Sequence, residues 1–239
     1  MAEPPGIEHR RPRKSGVTYA VRSALSAWLE AEGARAGADF DRLRVLDVGS
    51  GIKPYYPYFE PYATEYVGVD VANPAADLEG SVEALPVDDA SFEVVLCTQV
   101  LEHVESPEQA IRELYRVTAP GGRVLASTHG VQVYHPAPND YWRWTHTGLA
   151  HLFDQSADWA CVTVSPVGGA ATSITALSAI YIDLLFRRLH LPPLARASVW
   201  TLNTVGELAD RSVPSLRAPI PGSLFVNFHV TAEKAKWRT

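Results

Sequence analysis

The segment Val45-Leu46-Asp47-Val48-Gly49-Ser50-Gly51 constrains this chain most, an apolar run that ends in two glycines one residue apart. The run reads as a short buried strand, Leu43 to Val48. Glycines at its end let the backbone turn tightly and leave no Cβ to hold a ligand away. A helix is expected to follow, and its free N–H groups and positive potential would suit an anion. A second strand, Glu65 to Val71, places Asp70 close to its end. A carboxylate there can accept hydrogen bonds from both hydroxyls of a ribose.

The same rhythm continues downstream. A weaker third strand is expected near Ala76 to Val82, a fourth over Phe92 to Thr98, and a fifth over Arg123 to Thr128 after the turn Pro120-Gly121-Gly122. Helices are expected over Val17 to Gly33, with Gly33 as the stop, and over Pro107 to Val117, with Ser106 as N-cap. Strands alternating with helices imply right-handed βαβ units and a parallel sheet. Further on, Gly148 to Phe153 reads as a short helix, and Trp159 to Val164 and Leu224 to Val230 as strands. Between those strands lie an apolar helix, Ala170 to Phe186, and a second helix, roughly Ala195 to Arg211. In the apolar helix Ile174, Leu177, Ile180, Tyr181, Leu184 and Leu185 recur at helical spacing and predict a packed face. That run carries Asp183 and falls short of the ~20 residues a bilayer requires, so no membrane span is expected.

With 239 residues, 46% hydrophobic and 20% charged, the chain fits one globular domain with a full core. A net charge of −6 argues against a dedicated nucleic-acid binder. Cys97 and Cys161 are far apart and fit no disulfide framework or metal motif, which points to a reducing cytoplasm. The opening residues contain no apolar core of a signal peptide. The basic stretch His9 to Lys14 reads as part of a flexible leader, residues 1–16; contact with anionic lipid or nucleic acid is the other reading.

An NAD-binding protein shares the logic of the glycine loop, but Gly49-x-Gly51-x-x-Pro54 lacks the third glycine that packs a dinucleotide helix. Taken with the segments that follow, the sequence resembles a class I methyltransferase of the type-11 group. The matching stretches are Val45 to Pro54, Gly68 to Val71, Ser81 to Pro86, Ser91 to Val104 with Leu101-Glu102-His103-Val104, and Arg112 to Val117 leading into Pro120-Gly121-Gly122. The resemblance implies an α/β fold: a doubly wound, Rossmann-like, mostly parallel seven-stranded sheet with an antiparallel last strand. It also implies S-adenosylmethionine as cofactor. Asp47, Gly49, Ser50 and Gly51 would hold its methionine part, Asp70 and Val71 the ribose, and Ser81 and Val82 the adenine edge, with Thr98 and Gln99 on the other side. Ser81 stands where family members often carry Asp. One domain is expected over residues 17–239, with a small helical and loop cap at about 129–155 and 170–212.

The acceptor is expected beyond the carboxyl end of the fifth strand. Residues 129–146 there are dense in His, Pro and aromatic groups. They resemble a branch of the same family with the pattern His-x-x-Pro-x-Asp-aromatic-x-Arg-aromatic-Thr, here His135, Pro138, Asp140, Tyr141, Arg143, Trp144 and Thr145. The branch suggests a hydroxylated small molecule or sugar as acceptor. An alcohol must lose a proton, which assigns His135 as base, Asp140 as its orienting partner, and Arg143 as a residue that fixes the loop or binds an acidic group. Tyr134, Tyr141 and Trp144 are expected to contact the substrate. A structural Asp140–Arg143 salt bridge and core roles for the aromatics stay open, as does a homodimer. Glu102 and His103 resemble metal ligands of some quinone methyltransferases, but adjacent residues point apart, and no metal is expected. Other readings are a C-methyltransferase on a quinone or polyketide, a cyclase that binds but does not consume S-adenosylmethionine, and a non-catalytic scaffold.

Overall fold

The computed structural model describes residues 5–236 apart from 72 and 137. Seven strands form one sheet: β1 (Leu43–Val48), β2 (Ala63–Asp70), β3 (Leu78–Glu79), β4 (Phe92–Thr98), β5 (Thr118–His129), β6 (Trp159–Val167) and β7 (Asn227–Lys234). Their order is β3-β2-β1-β4-β5-β7-β6. Neighbours are parallel from β3 through β5, and β7 runs antiparallel between β5 and β6. The winding reverses between β1 and β4, so a crevice opens at their carboxyl ends.

Both faces of β1 and β4 are covered, which explains why these strands are apolar without alternation. Leu46, Val48, Val95 and Cys97 join one core; Leu43, Val45, Val94 and Leu96 join the other, a separation with the period of two that a pleated strand imposes. The helices are α1 (Ile7–Arg10), α2 (Tyr19–Asp39), α3 (Tyr56–Phe59), α4 (Pro107–Val117), α5 (His146–Ser156), α6 (Ala170–Arg188) and α7 (Pro192–Ser212). Leu25 and Leu29 of α2 and Phe59 of α3 cover the second core, and Ile111, Leu114, Leu149 and Phe153 of α4 and α5 cover the first.

Several local expectations change. Helix α2 continues through Gly33; a Cβ there would lie 2.3 Å from the Tyr58 carbonyl oxygen, so this glycine permits close packing rather than ending the helix. No long helix follows Gly51. Pro54, Pro57 and Pro61 restrict that stretch to the single turn α3, because each proline removes a donor and constrains its predecessor. The third strand is only two residues long, and Val71 lies beyond β2. Ser106 makes no side-chain cap bond; instead its amide donates to Glu83 Oε1 at 2.8 Å. Pro120-Gly121-Gly122 lies within β5, where the register against β4 shifts between Phe92 and Val94. Residues 5–16, expected as a flexible leader, are tied to the domain. Ser26 Oγ donates to the Arg10 carbonyl at 2.7 Å, and Asn203 Nδ2 donates to the carbonyl of Lys14 at 2.7 Å.

The largest difference concerns α6. Its buried residues are Thr172, Ser173, Ala176 and Ala179, whereas Ile174, Tyr181, Leu184 and Leu185 are exposed. The apolar stripe has helical spacing, but it is not the packed face: α7 takes the small-residue face, where Gly206 approaches Thr172 and Thr175 closely.

Candidate active site

The glycine loop is folded around Asp70. Gly49 and Gly51 have φ of +69° and +51°, conformations that glycine adopts without a Cβ penalty. The Gly49 and Ser50 amides both donate to the Val69 carbonyl, at 2.8 and 3.1 Å, and the Gly51 amide donates to Asp70 Oδ2 at 2.9 Å. These amides are therefore committed within the protein, and the expected helix N-terminus for an anion is absent. The loop instead fixes one oxygen of Asp70 and leaves the other for a ligand.

Asp47 is buried behind the loop, where its Oδ2 accepts from the Tyr66 hydroxyl at 2.7 Å. Burial pushes its carboxyl up to about 7. A cavity of about 830 Å³ lies against the loop, within the roughly 300–1,000 Å³ range of small-molecule sites. Gly49, Asp70, Val71, Ser81, Val82 and Gln99 line it; Asp47, Ser50, Gly51 and Thr98 do not. Gln99 is a non-glycine residue at φ +56°, and its amide is held by Ser127 Oγ at 2.9 Å and Asn227 Nδ2 at 3.1 Å. Ser81 Oγ accepts the Glu83 amide at 3.2 Å, which shapes the adjoining turn.

The far wall of the same cavity includes His103, His129, Tyr134 and His135. The ring centroids of His103 lie 6.5 Å from His129 and 5.9 Å from His135. His103 Nδ1 bonds the Asn139 carbonyl, which leaves Nε2 as the ring's basic nitrogen. Glu102 is fully buried behind His129. Its Oε2 accepts from Thr128 Oγ1 at 2.8 Å, and its Oε1 lies 3.2 Å from His129 Nε2 without hydrogen-bond alignment. Burial raises Glu102 to about 7 and lowers His129 to about 4, so both favour their neutral forms.

The expected His135–Asp140 dyad takes a different form. Asp140 pairs with Arg143 through both carboxylate oxygens, at 2.5 and 2.8 Å, and accepts the backbone amide of His135 at 2.7 Å rather than its ring. The Arg143 hydrogen bonds hold the Asp140 carboxyl well below its usual range. Arg143 also donates to the carbonyls of Gln132 and Val133, so this pair locks the loop. Among the aromatics, Tyr134 lines the cavity, whereas Tyr141 and Trp144 lie off it. Trp144 packs on the core and donates from Nε1 to Thr128 Oγ1 at 3.2 Å.

Residues 46–126 match the methyltransferase domain family. Over that stretch the chain is similar to class I S-adenosylmethionine-dependent methyltransferases. The uncharacterized methyltransferase YcgJ of Bacillus subtilis is 31% identical over 102 residues, 36% of this chain and 40% of the relative. A malonyl-(acyl-carrier protein) O-methyltransferase of Erwinia pyrifoliae is 38% identical over 108 residues, 41% of this chain and 40% of the relative. The matched stretch thus spans about two fifths of each relative's length. Among solved structures, the 4+2 cyclase SpnF superposes with a TM-score of 0.55 at 16% identity, covering 89% of this chain and 82% of SpnF. That likeness concerns the fold of the methyltransferase domain.

Three parts of the wall had escaped sequence reasoning. Glu102 and His103 were visible but read as structural, since adjacent side chains diverge; in the structure both line the cavity beside His129. His129 ends β5, a position where strand order alone points to the crevice. Val17, Val21 and Arg22 of the N-terminal segment also line the cavity, and no motif marks them.

Proposed function

We propose that the protein transfers a methyl group from S-adenosylmethionine to a hydroxyl of a small molecule, such as a sugar or a natural-product scaffold. One observation carries the reading: the loop-anchored Asp70 and a wall of three histidines open onto one cavity large enough for two small molecules. The similarity to an O-methyltransferase over the matched stretch supports oxygen as the acceptor atom.

S-adenosylmethionine bound in this cavity supplies a methyl group on a positively charged sulfur. Asp70 would accept the ribose hydroxyls through its uncommitted oxygen, with Val71, Ser81 and Val82 along the adenine side. Gln99, just beyond β4 and fixed through Ser127 and Asn227, would border the cofactor. Transfer is an in-line displacement, so holding the hydroxyl at about 3 Å from the methyl carbon provides much of the acceleration. The hydroxyl proton passes to the imidazole wall, with His135 and the Nε2 of His103 as acceptors. His129, the third histidine of the wall, is backed by the buried Glu102, and Asp140 with Arg143 holds the loop in place.

Calorimetric titration with S-adenosylmethionine, followed by detection of S-adenosylhomocysteine over a panel of hydroxylated acceptors, tests the reading. His135→Ala or His103→Ala is expected to lower turnover by ~10²–10⁴-fold with cofactor affinity unchanged. Binding of NAD without S-adenosylmethionine would overturn the cofactor assignment, and wild-type turnover in both variants would remove the histidines from proton transfer.

A further inference from the structure

The α6–α7 hairpin is built inside out. Its interior is made mostly of small and polar groups: Thr172, Ser173, Ala176 and Ala179 on α6, and Ala195, Asn203, Gly206 and Asp210 on α7, with Val199 the one larger apolar residue among them. The helices approach so closely that a Cβ on Gly206 would lie 2.2 Å from Thr175 Oγ1. Small residues between helices and large apolar ones outside are the pattern of helices that face lipid. In water, a contiguous apolar surface of this kind marks an interaction site.

Large apolar side chains do lie on the outer surface of the hairpin. Tyr181 is 64% exposed, Leu184 58%, Leu185 54% and Trp200 52%, and Leu191 and Leu194 are exposed at the connection. Helix α6 is long and apolar enough to cross a membrane by composition, yet only 22% of its most apolar stretch is buried. It is nevertheless part of the domain. Asp210 accepts the amides of Ala171 and Thr172 at 3.1 and 3.0 Å, and Ser173 Oγ donates to the Leu224 carbonyl at 3.0 Å. These bonds suit a helix that lies on a surface rather than one that leaves the fold to span a bilayer.

Charge identifies the surface. Residues 184–206 contain Arg187, Arg188 and Arg196 and no Asp or Glu, in a chain of net charge −6; Arg187 pairs with Asp183 at 2.6 Å, whereas Arg188 and Arg196 are exposed. The basic N-terminal segment is fastened to the same hairpin: Asn203 Nδ2 donates to the carbonyls of Lys14 and Gly16, and Lys14 Nζ pairs with Glu207 at 2.8 Å. Arg11 and Arg13 stay exposed beside it. An apolar helix face flanked by exposed arginines, with a polybasic strip alongside, combines the two signals that stable interfacial binding requires.

We propose that the α6–α7 hairpin, together with the basic strip around Arg11 and Arg13, docks the protein on an anionic lipid bilayer. Ala176 and Ile180 of α6 also line the cavity, so docking would bring the cavity wall to the membrane surface. The inference does not depend on the reaction proposed above.

The test is co-sedimentation of the full chain with vesicles of phosphatidylcholine alone and of phosphatidylcholine with about one third phosphatidylserine. Binding is expected to the mixed vesicles, to fall as salt rises, and to weaken by about fivefold for each arginine neutralised in Arg188→Gln and Arg196→Gln. Leu184→Ser with Leu185→Ser is expected to release the protein, and thermal melting verifies that this variant is folded. Because both leucines are exposed, the wild-type salt series stands as an independent measurement if the variant does not fold. Equal binding to both vesicle types, or none to either, overturns the proposal. So does velocity sedimentation that shows a dimer which the leucine variant dissociates, since those side chains would then be covered by a second copy.

Discussion

Replacing Glu102 by Gln tests the electrostatics of the cavity wall directly. Glu102 is fully buried, accepts one hydrogen bond from Thr128, and titrates near 7 rather than at its ordinary 4.5. A carboxyl raised in the folded state binds its proton while the unfolded chain has already released it. Its stabilising contribution is therefore complete below the unfolded value and is lost as pH rises through the folded one. A difference of roughly two and a half pH units corresponds to about 3 kcal/mol, most of it lost between about pH 5 and about pH 8. Asp47 behaves in the same sense, being raised to about 7 by burial. His129 and His229 act oppositely. Burial lowers both to about 4, so their contribution is present above the unfolded value of 6.5 and is lost as pH falls towards 4. In the wild type the two carboxyls and two histidines offset one another, and stability should change little between about pH 5 and about pH 7. Glu102→Gln removes one of the falling contributions and keeps both rising ones, so the variant should gain stability with pH relative to wild type, by about 2–3 kcal/mol. Urea unfolding at a series of pH values measures this difference. Parallel pH profiles for the two proteins would mean that Glu102 stays ionised when folded, and the neutral-pair description would fail.

Two further outcomes bear on the cavity. Asp70→Ala removes a carboxylate held by the Gly51 amide and should weaken S-adenosylmethionine by about 10–100-fold in calorimetry, as loss of hydrogen bonds to a charged group does; unchanged affinity would remove Asp70 from the site. Arg143→Ala breaks the double bond to Asp140 and two carbonyl contacts, and should lower turnover by about tenfold or more while the cofactor dissociation constant stays within about twofold; a parallel loss of cofactor binding would show that the loop acts on the cofactor instead.

Local chemistry made much of this protein legible before any fold was known. Apolar runs marked β1, which ends in two glycines, and β4, because a strand covered on both faces has no polar side to show. Their alternation with helical patterns implied a parallel, doubly wound sheet, and a carboxylate at the end of β2 implied a ligand at the crevice. The brevity of α3 was also written in the chain, in Pro54, Pro57 and Pro61, although the glycine loop drew the expectation of a longer helix.

What the tertiary structure decided concerns partners that are far apart in sequence. Whether loop amides are free or occupied depends on β2, whose Val69 carbonyl and Asp70 carboxylate take them. Asp140 sits five residues from His135, yet it turns to Arg143, because a guanidinium offers two parallel charge-assisted bonds and an imidazole ring one. His129 meets Glu102 only because the end of β5 and the turn after β4 are adjacent in the sheet. The orientation of α6 was equally hidden: periodicity gives the spacing of an apolar stripe, but the close approach of α7 at Gly206 requires small residues inside and turns Tyr181, Leu184 and Leu185 outward.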